Sequence, residues 1–361
     1  MTLAAAPAGT RRSPLLDGRL ALLAGLTLVF ILAAGLMPTI LREQTRDWIA
    51  YEQAADRLTT GAPLYVFELA TPDDEYYLYP PPTAALWAVA GSPEALLTLK
   101  VLALASVGAL ALVVAPRAST RQKAALATAL AAAALLAPPD IHDLVLGNVM
   151  ALYVGAVTVS LARPGWLGAI PLGLVCAVAL KPVIGPYLVW LAIRRRADAG
   201  RVIAVGLAVT AVFAALVGPG RYVEYLQALP QMSILVHLPT GNVGLSTVSR
   251  EVALVGLVLA YAATVWAAMR LDLHRAAAIA LAAGLLAQPS IGFNYAGLLM
   301  PAVVLLWVAD RPAGFIACIT VPLVAVVSPP AASVVVIGLA FVRVDARLPA
   351  PHQVPAPEQA S

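Results

Sequence analysis

The stretch Trp166–Ile193, WLGAIPLGLVCAVALKPVIGPYLVWLAI, is apolar except for one charge, Lys181, and is flanked by Arg163 on one side and by Arg194, Arg195 and Arg196 on the other. Lys and Arg concentrate on the cytoplasmic side of membrane proteins. A segment basic at both ends must therefore enter the bilayer and come back. Each arm, Trp166 to Leu180 and Pro182 to Ile193, supplies only roughly 20 Å of helix against about 30 Å of hydrocarbon. The tip, Lys181-Pro182, is then held at membrane depth. A charge and a broken backbone persist there only inside protein or against a cavity. The spacing predicts a re-entrant hairpin within a multi-pass protein.

The rest of the chain agrees. Of 361 residues, 61% are hydrophobic and 12% charged, with a mean hydropathy of +0.86. Soluble domains carry about 25% charged residues, so a soluble fold is excluded. Sixteen of the 23 basic residues fall in loops that can share one side, from Arg11, Arg12 and Arg19 through Arg117, Arg121, Lys123 and Arg270 to Arg343 and Arg347. Thirteen of the 19 acidic residues fall on the other side. The formal charge of +4 is thus a record of topology and calls for no nucleic-acid partner. Twelve crossings satisfy every loop, beginning with Arg19 to Leu41 and ending with Ala331 to Val342, with both termini cytoplasmic. Residues 1–348 read as a single all-α polytopic domain, and 349–361 as a polar, Pro-rich, disordered cytoplasmic tail. Ala- and Pro-rich usage points to a bacterial cell membrane. Cys176 and Cys318 sit in apolar runs and read as buried small hydrophobes.

Two outer loops are long, about 42–82 and 218–250, and long loops in an otherwise tightly connected protein are where function concentrates. In the first, Asp47, Tyr51, Ala54-Ala55 and Leu58 recur at helical spacing, which predicts an amphipathic helix on the membrane surface ended by Gly61. Tyr79-Pro80-Pro81 then turns the chain into a dip too short to span, which returns at Gly91-Ser92-Pro93. Asp47 stands at the lip of the membrane. A carboxylate there serves either as an interfacial anchor beside Trp48 and Tyr51 or as a general base. Lys181 either snorkels to the headgroups or stabilises negative charge at the tip. Lys100, two turns into its span, reads as snorkelling. Arg250, at the start of a span, reads equally as anchor or phosphate ligand. His142-Asp143 reads as a helix N-cap with a chance histidine rather than a metal pair, and Asp73-Asp74-Glu75 as a solvated turn rather than a cation site. A divalent cation is the one cofactor left open. No phosphate-cradling Gly-rich loop is present, which argues against a nucleotide substrate.

The spacing Asp47-x3-Tyr51-x2-Ala54-Ala55-x2-Leu58-x2-Gly61-x-Pro63-Leu64-Tyr65, followed by Tyr79-Pro80-Pro81, resembles the first outer loop of the bacterial polyprenyl-phosphate-mannose-dependent mannosyltransferases, glycosyltransferase family 87. Gly147-Asn148, Lys181-Pro182, Asn242 to Arg250 and Gln288-Pro289 to Pro301 follow in the family's order, so the resemblance runs from about Leu22 to Leu306. It implies a GT-C bundle and inverting transfer of mannose from a polyprenyl phosphate donor to a glycolipid or lipoglycan acceptor at the outer face. It also implies that Asp47 is the base. The substrate-binding set it implies is Arg46, Tyr51, Tyr79, Asn148, Lys181, Asn242, Arg250, Asn294 and Tyr295. The chain departs from the family at Ser290-Ile291-Gly292-Phe293-Asn294-Tyr295, where two histidines are usual, and at Gly147-Asn148, which lacks a usual glutamine. Two other readings stay open: a lipid or sugar transporter built on broken helices, and a catalytically silent homologue.

Overall fold

A computed structural model describes residues 46–68, 76–235, 243–288 and 291–341. The expected first span, the Asp73-Asp74-Glu75 run, Asn242 and the tail lie outside the described residues. The described chain is helical throughout, with no strand. In order it forms α1 (Arg46–Thr60), α2 (Pro81–Ala90), α3 (Pro93–Ala105), α4 (Ala111–Val114), α5 (Thr120–Leu136), α6 (Pro138–Leu146), α7 (Met150–Ala162) and α8 (Trp166–Ala179). Then follow α9 (Gly185–Arg194), α10 (Arg196–Val217), α11 (Pro219–Leu235), α12 (Arg250–Arg270), α13 (Leu273–Ala287), α14 (Leu299–Ala309), α15 (Arg311–Val327) and α16 (Pro329–Phe341).

Three segments are long and apolar enough to cross a bilayer by length and composition: Pro93–Val114, Arg196–Val217 and Arg250–Arg270. The pair α5 and α6 makes a fourth if taken as one span, bent by 58°. The remaining apolar helices are shorter. On α10, Ile203, Leu207, Val212 and Leu216 all face outward, a pattern that suits a hydrocarbon environment rather than water. The centre of the bundle is α13. It is buried along almost its whole length and packs on α9, α12, α14 and α16. Its run of alanines lets those neighbours approach closely.

The Trp166–Ile193 segment does return on itself. Gly165 N donates to the Asp198 carboxylate (2.9 Å), Arg195 to the Ser160 carbonyl (3.3 Å), and the Arg201 guanidinium lies 5.9 Å from the Trp166 ring. Both basic ends of the segment are therefore together. The arms splay because they pack on different helices, α8 on α7 and α10, and α9 on α12 and α13. The tip is pinned from beneath. A Cβ on Gly284 of α13 would collide with the Val183 carbonyl, so only glycine admits the turn at this depth. Arg194 donates to the Ala268 and Leu271 carbonyls, and Arg275 pairs with Asp310 at 2.8 Å, which gathers further basic residues at the same end.

One expectation needs correcting here. His142-Asp143, expected at a helix N-cap, lie inside α6 (Pro138–Leu146), because Pro138-Pro139 start the helix earlier, where no N–H is needed. The second long loop, about 218–250, carries a helix, α11, which likewise begins at a proline, Pro219. This helix clasps the first loop. The Glu224 carboxylate accepts from Leu64 N and Tyr65 N, and Arg221 donates to the Ala62 carbonyl at 2.9 Å. The expected surface helix of the first loop is α1, ended at Thr60 by Gly61 with φ +74°.

Candidate functional site

At the end of the bundle away from the basic cluster, α1, the α6–α7 turn, the hairpin tip and the turn before α14 meet. Asp47 is in the first turn of α1 and half-buried. Its Oδ2 accepts from Asn148 Nδ2 at 2.8 Å. Asn148 in turn accepts at Oδ1 from Lys181 Nζ at 3.0 Å. Lys181 also donates to Tyr295 Oη (3.0 Å) and to Tyr79 Oη (3.4 Å), with its ammonium 4.9 Å and 5.1 Å from those ring centroids. All three ammonium hydrogens are therefore used. Tyr79 and Tyr295 accept from the lysine, and a phenol that accepts can still donate its own hydrogen. Tyr51 packs edge-on against Tyr79 at 5.1 Å. One hydrogen-bonded chain thus joins Asp47, Asn148, Lys181, Tyr79 and Tyr295, residues that are far apart in sequence.

The turn that presents Asn148 depends on Gly147, whose φ is +73° and whose missing side chain leaves room for the Trp48 indole. Gly147→Ala meets both the left-handed backbone penalty, about 1–2 kcal/mol, and a collision with Trp48. A lower apparent melting temperature in detergent is the expected result, and an unchanged one would contradict this account of the turn.

Behind this chain lies a layer that the sequence did not reveal. Lys100 does not snorkel. It is fully buried and paired with Asp143 Oδ2 at 3.1 Å, and it also donates to the Asp143 carbonyl. Asp143 caps the following helix rather than its own, accepting from Met150 N (3.2 Å) and Ala151 N (3.0 Å), and it accepts from Asn294 Nδ2 at 2.9 Å. This carboxylate fastens the turn bearing Asn148 to the turn bearing Tyr295, the two neighbours of Lys181. His142 packs edge-on to Phe293 at 6.0 Å. Asp140 is buried with neither carboxylate oxygen hydrogen-bonded among the described residues.

Comparison of the chain with protein-family models, with curated proteins and with solved structures gives no match.

Burial raises the Asp47 pKa above the ordinary aspartate range. The Lys181 charge and the Asn148 hydrogen bond oppose that shift. Burial also raises Tyr51 and Tyr79, so both remain neutral phenols. The arrangement offers a half-buried base, a fixed cation and two hydroxyl donors within one network. Arg250 is not part of it. It is exposed at the start of α12, and no hydrogen bond or ion pair joins it to the network among the described residues. Asn294 contributes through Asp143. The Arg46 side chain and Asn242 fall outside the described residues. Among the described residues no group of three or more His, Cys, Asp or Glu side chains is placed to hold a metal ion.

Proposed function

We propose that this chain is a multi-pass membrane glycosyltransferase of the GT-C kind, with about twelve crossings and cytoplasmic termini. It moves a sugar, mannose by resemblance, from a polyprenyl phosphate to a glycolipid or lipoglycan at the outer face. The observation that carries the reading is the Asp47–Asn148–Lys181 chain, which sets a base and a cation one amide apart. In the proposed reaction an acceptor hydroxyl gives its proton to Asp47 as its oxygen attacks the anomeric carbon. The bond from that carbon to the phosphate oxygen breaks, and the lipid phosphate leaves with the electron pair. Lys181, Tyr79 and Tyr295 stabilise the second negative charge that grows on the phosphate as the bond breaks, which favours the transition state over the monoanionic phosphodiester of the ground state. Attack opposite the departing phosphate gives inversion.

The test is transfer of labelled mannose from polyprenyl phosphate mannose by the protein in proteoliposomes. Lys181→Met is expected to lower kcat/KM at least 100-fold, the scale of losing a charged donor at a developing anion. Wild-type rates in that variant would remove Lys181 from the mechanism. The buried, unpartnered Asp140 and the 58° break between α5 and α6 are features that proton-coupled transporters also use. Sugar or lipid uptake into proteoliposomes without a covalent product would favour that second reading.

A further inference from the structure

Beside the Asp47 network, around the next face of α1, lies a separate pocket of ≈ 230 Å³. Trp48 and Glu52, one helical turn apart on α1, form one side, and Trp87 of α2 with the Gly91-Ser92 turn forms the other. The two indoles meet almost at right angles, with interplanar angle 80° and centroids 6.3 Å apart. The buried Trp48 ring, 6% exposed, backs the half-buried Trp87 ring, which faces the pocket. Glu52 is exposed, and its carboxylate has no hydrogen-bond or ion-pair partner among the described residues. Gly91 is required here. Its backbone N–H returns to the Trp87 carbonyl at 2.8 Å, and a Cβ would run into the Trp87 ring. The turn is thereby shaped around the indole.

We propose that this pocket binds one neutral pyranose unit of the acceptor, next to the unit whose hydroxyl is glycosylated at Asp47. The inference rests on the glycosyltransferase reading and adds to it where the acceptor sits and what it must carry. A pyranose has an apolar C–H face and a rim of hydroxyls, and the pocket matches both, with the half-buried Trp87 indole for the first and the exposed Glu52 carboxylate for the second. A carboxylate accepts from two hydroxyls at once and repels phosphate, which selects an uncharged sugar over an anionic lipid headgroup. The volume is below the ~300–1,000 Å³ of drug-sized sites and suits a single ring. Placement also fits, because Trp48 of the pocket follows Asp47 directly on α1.

The experiment uses the full chain in nanodiscs without donor lipid and measures saturation-transfer NMR with methyl α-mannoside and an α-linked dimannoside. Wild-type protein and Glu251→Gln, a change to an exposed carboxylate on α12, are expected to bind the dimannoside. Trp87→Ala and the surface change Glu52→Gln are expected to weaken it at least tenfold. Glu52→Gln keeps the fold intact, so a negative result cannot be assigned to unfolding. Absence of dimannoside binding, equal binding in both variants, or displacement by glycerol phosphate as strong as by mannoside would each overturn the proposal, the last by marking a headgroup site. Transfer assays separate the two claims. Asp47-dependent transfer without sugar binding here removes only this subsite, whereas sugar binding without any wild-type transfer removes the enzyme reading and leaves the site.

Discussion

Replacing Asp47 by Asn is expected to lower kcat/KM for sugar transfer by about 10²–10⁴, the range general-base catalysis contributes. The change is nearly isosteric, and an Asn carbonyl can still accept from Asn148 Nδ2, which Asp47 Oδ2 does at 2.8 Å. Donor binding is therefore expected to survive, and the loss to appear in kcat. A pH profile adds a second, independent sign. Burial, opposed by Lys181 and by the Asn148 hydrogen bond, holds the Asp47 pKa above the ordinary aspartate range. A base acts only when unprotonated, so wild-type kcat/KM should climb as pH rises through that raised pKa. The Asn variant should lose that limb. A variant with full activity, or with the same acidic limb, would remove Asp47 from the role of base.

The second large effect concerns Asp143. Its carboxylate takes four donors: Met150 N, Ala151 N, Asn294 Nδ2 and Lys100 Nζ. Lys100 is wholly buried. Asp143→Leu leaves that ammonium with a backbone carbonyl but no counter-charge, and breaking one side of a buried ion pair costs about 3–5 kcal/mol. The apparent melting temperature in detergent should fall steeply, or the protein should fail to accumulate. Pairing the change with Lys100→Met removes the stranded charge and should recover the part of the loss that the charge causes, while Met150 N, Ala151 N and Asn294 Nδ2 still lack their acceptor. The double variant should nevertheless transfer sugar poorly, since the turns carrying Asn148 and Tyr295 are no longer fastened together. Equal melting temperatures for the single and double variants would show that the pair does not carry this energy.

How far the sequence could be read follows from where each signal lies. The hairpin was legible because its evidence is local: arginines at both ends, arms too short to span, and a Lys-Pro break between them. The α1 helix was legible because Asp47, Tyr51, Ala54-Ala55 and Leu58 fall on one face within a few turns. Those two readings bring Asp47, Tyr79 and Lys181 to the same end of the bundle. The layer behind them was not legible. A lysine two turns into an apolar helix looks the same whether it reaches for headgroups or for a carboxylate, and its partner Asp143 lies 43 residues away. Asp143 sits near a helix start, so it reads as a cap of its own helix, whereas it caps the next one. The helix α11 was hidden by Pro219 and Pro230, which read as loop residues until Pro219 is seen to occupy a helix start. Arg250 was the opposite case. A charge at a span start carries no sign of which way it faces, and here it faces outward.

The central claim is that this chain adds a sugar to a membrane acceptor, with Asp47 taking the proton. The most direct measurement is mass spectrometry of glycolipids and lipoglycans from cells lacking the gene, complemented with the wild-type chain or with Asp47→Asn. The account predicts a species one hexose heavier that is present with the wild-type chain and missing with the variant at equal protein level. Identical profiles for the two complemented strains, or a profile unchanged by loss of the gene, would contradict it.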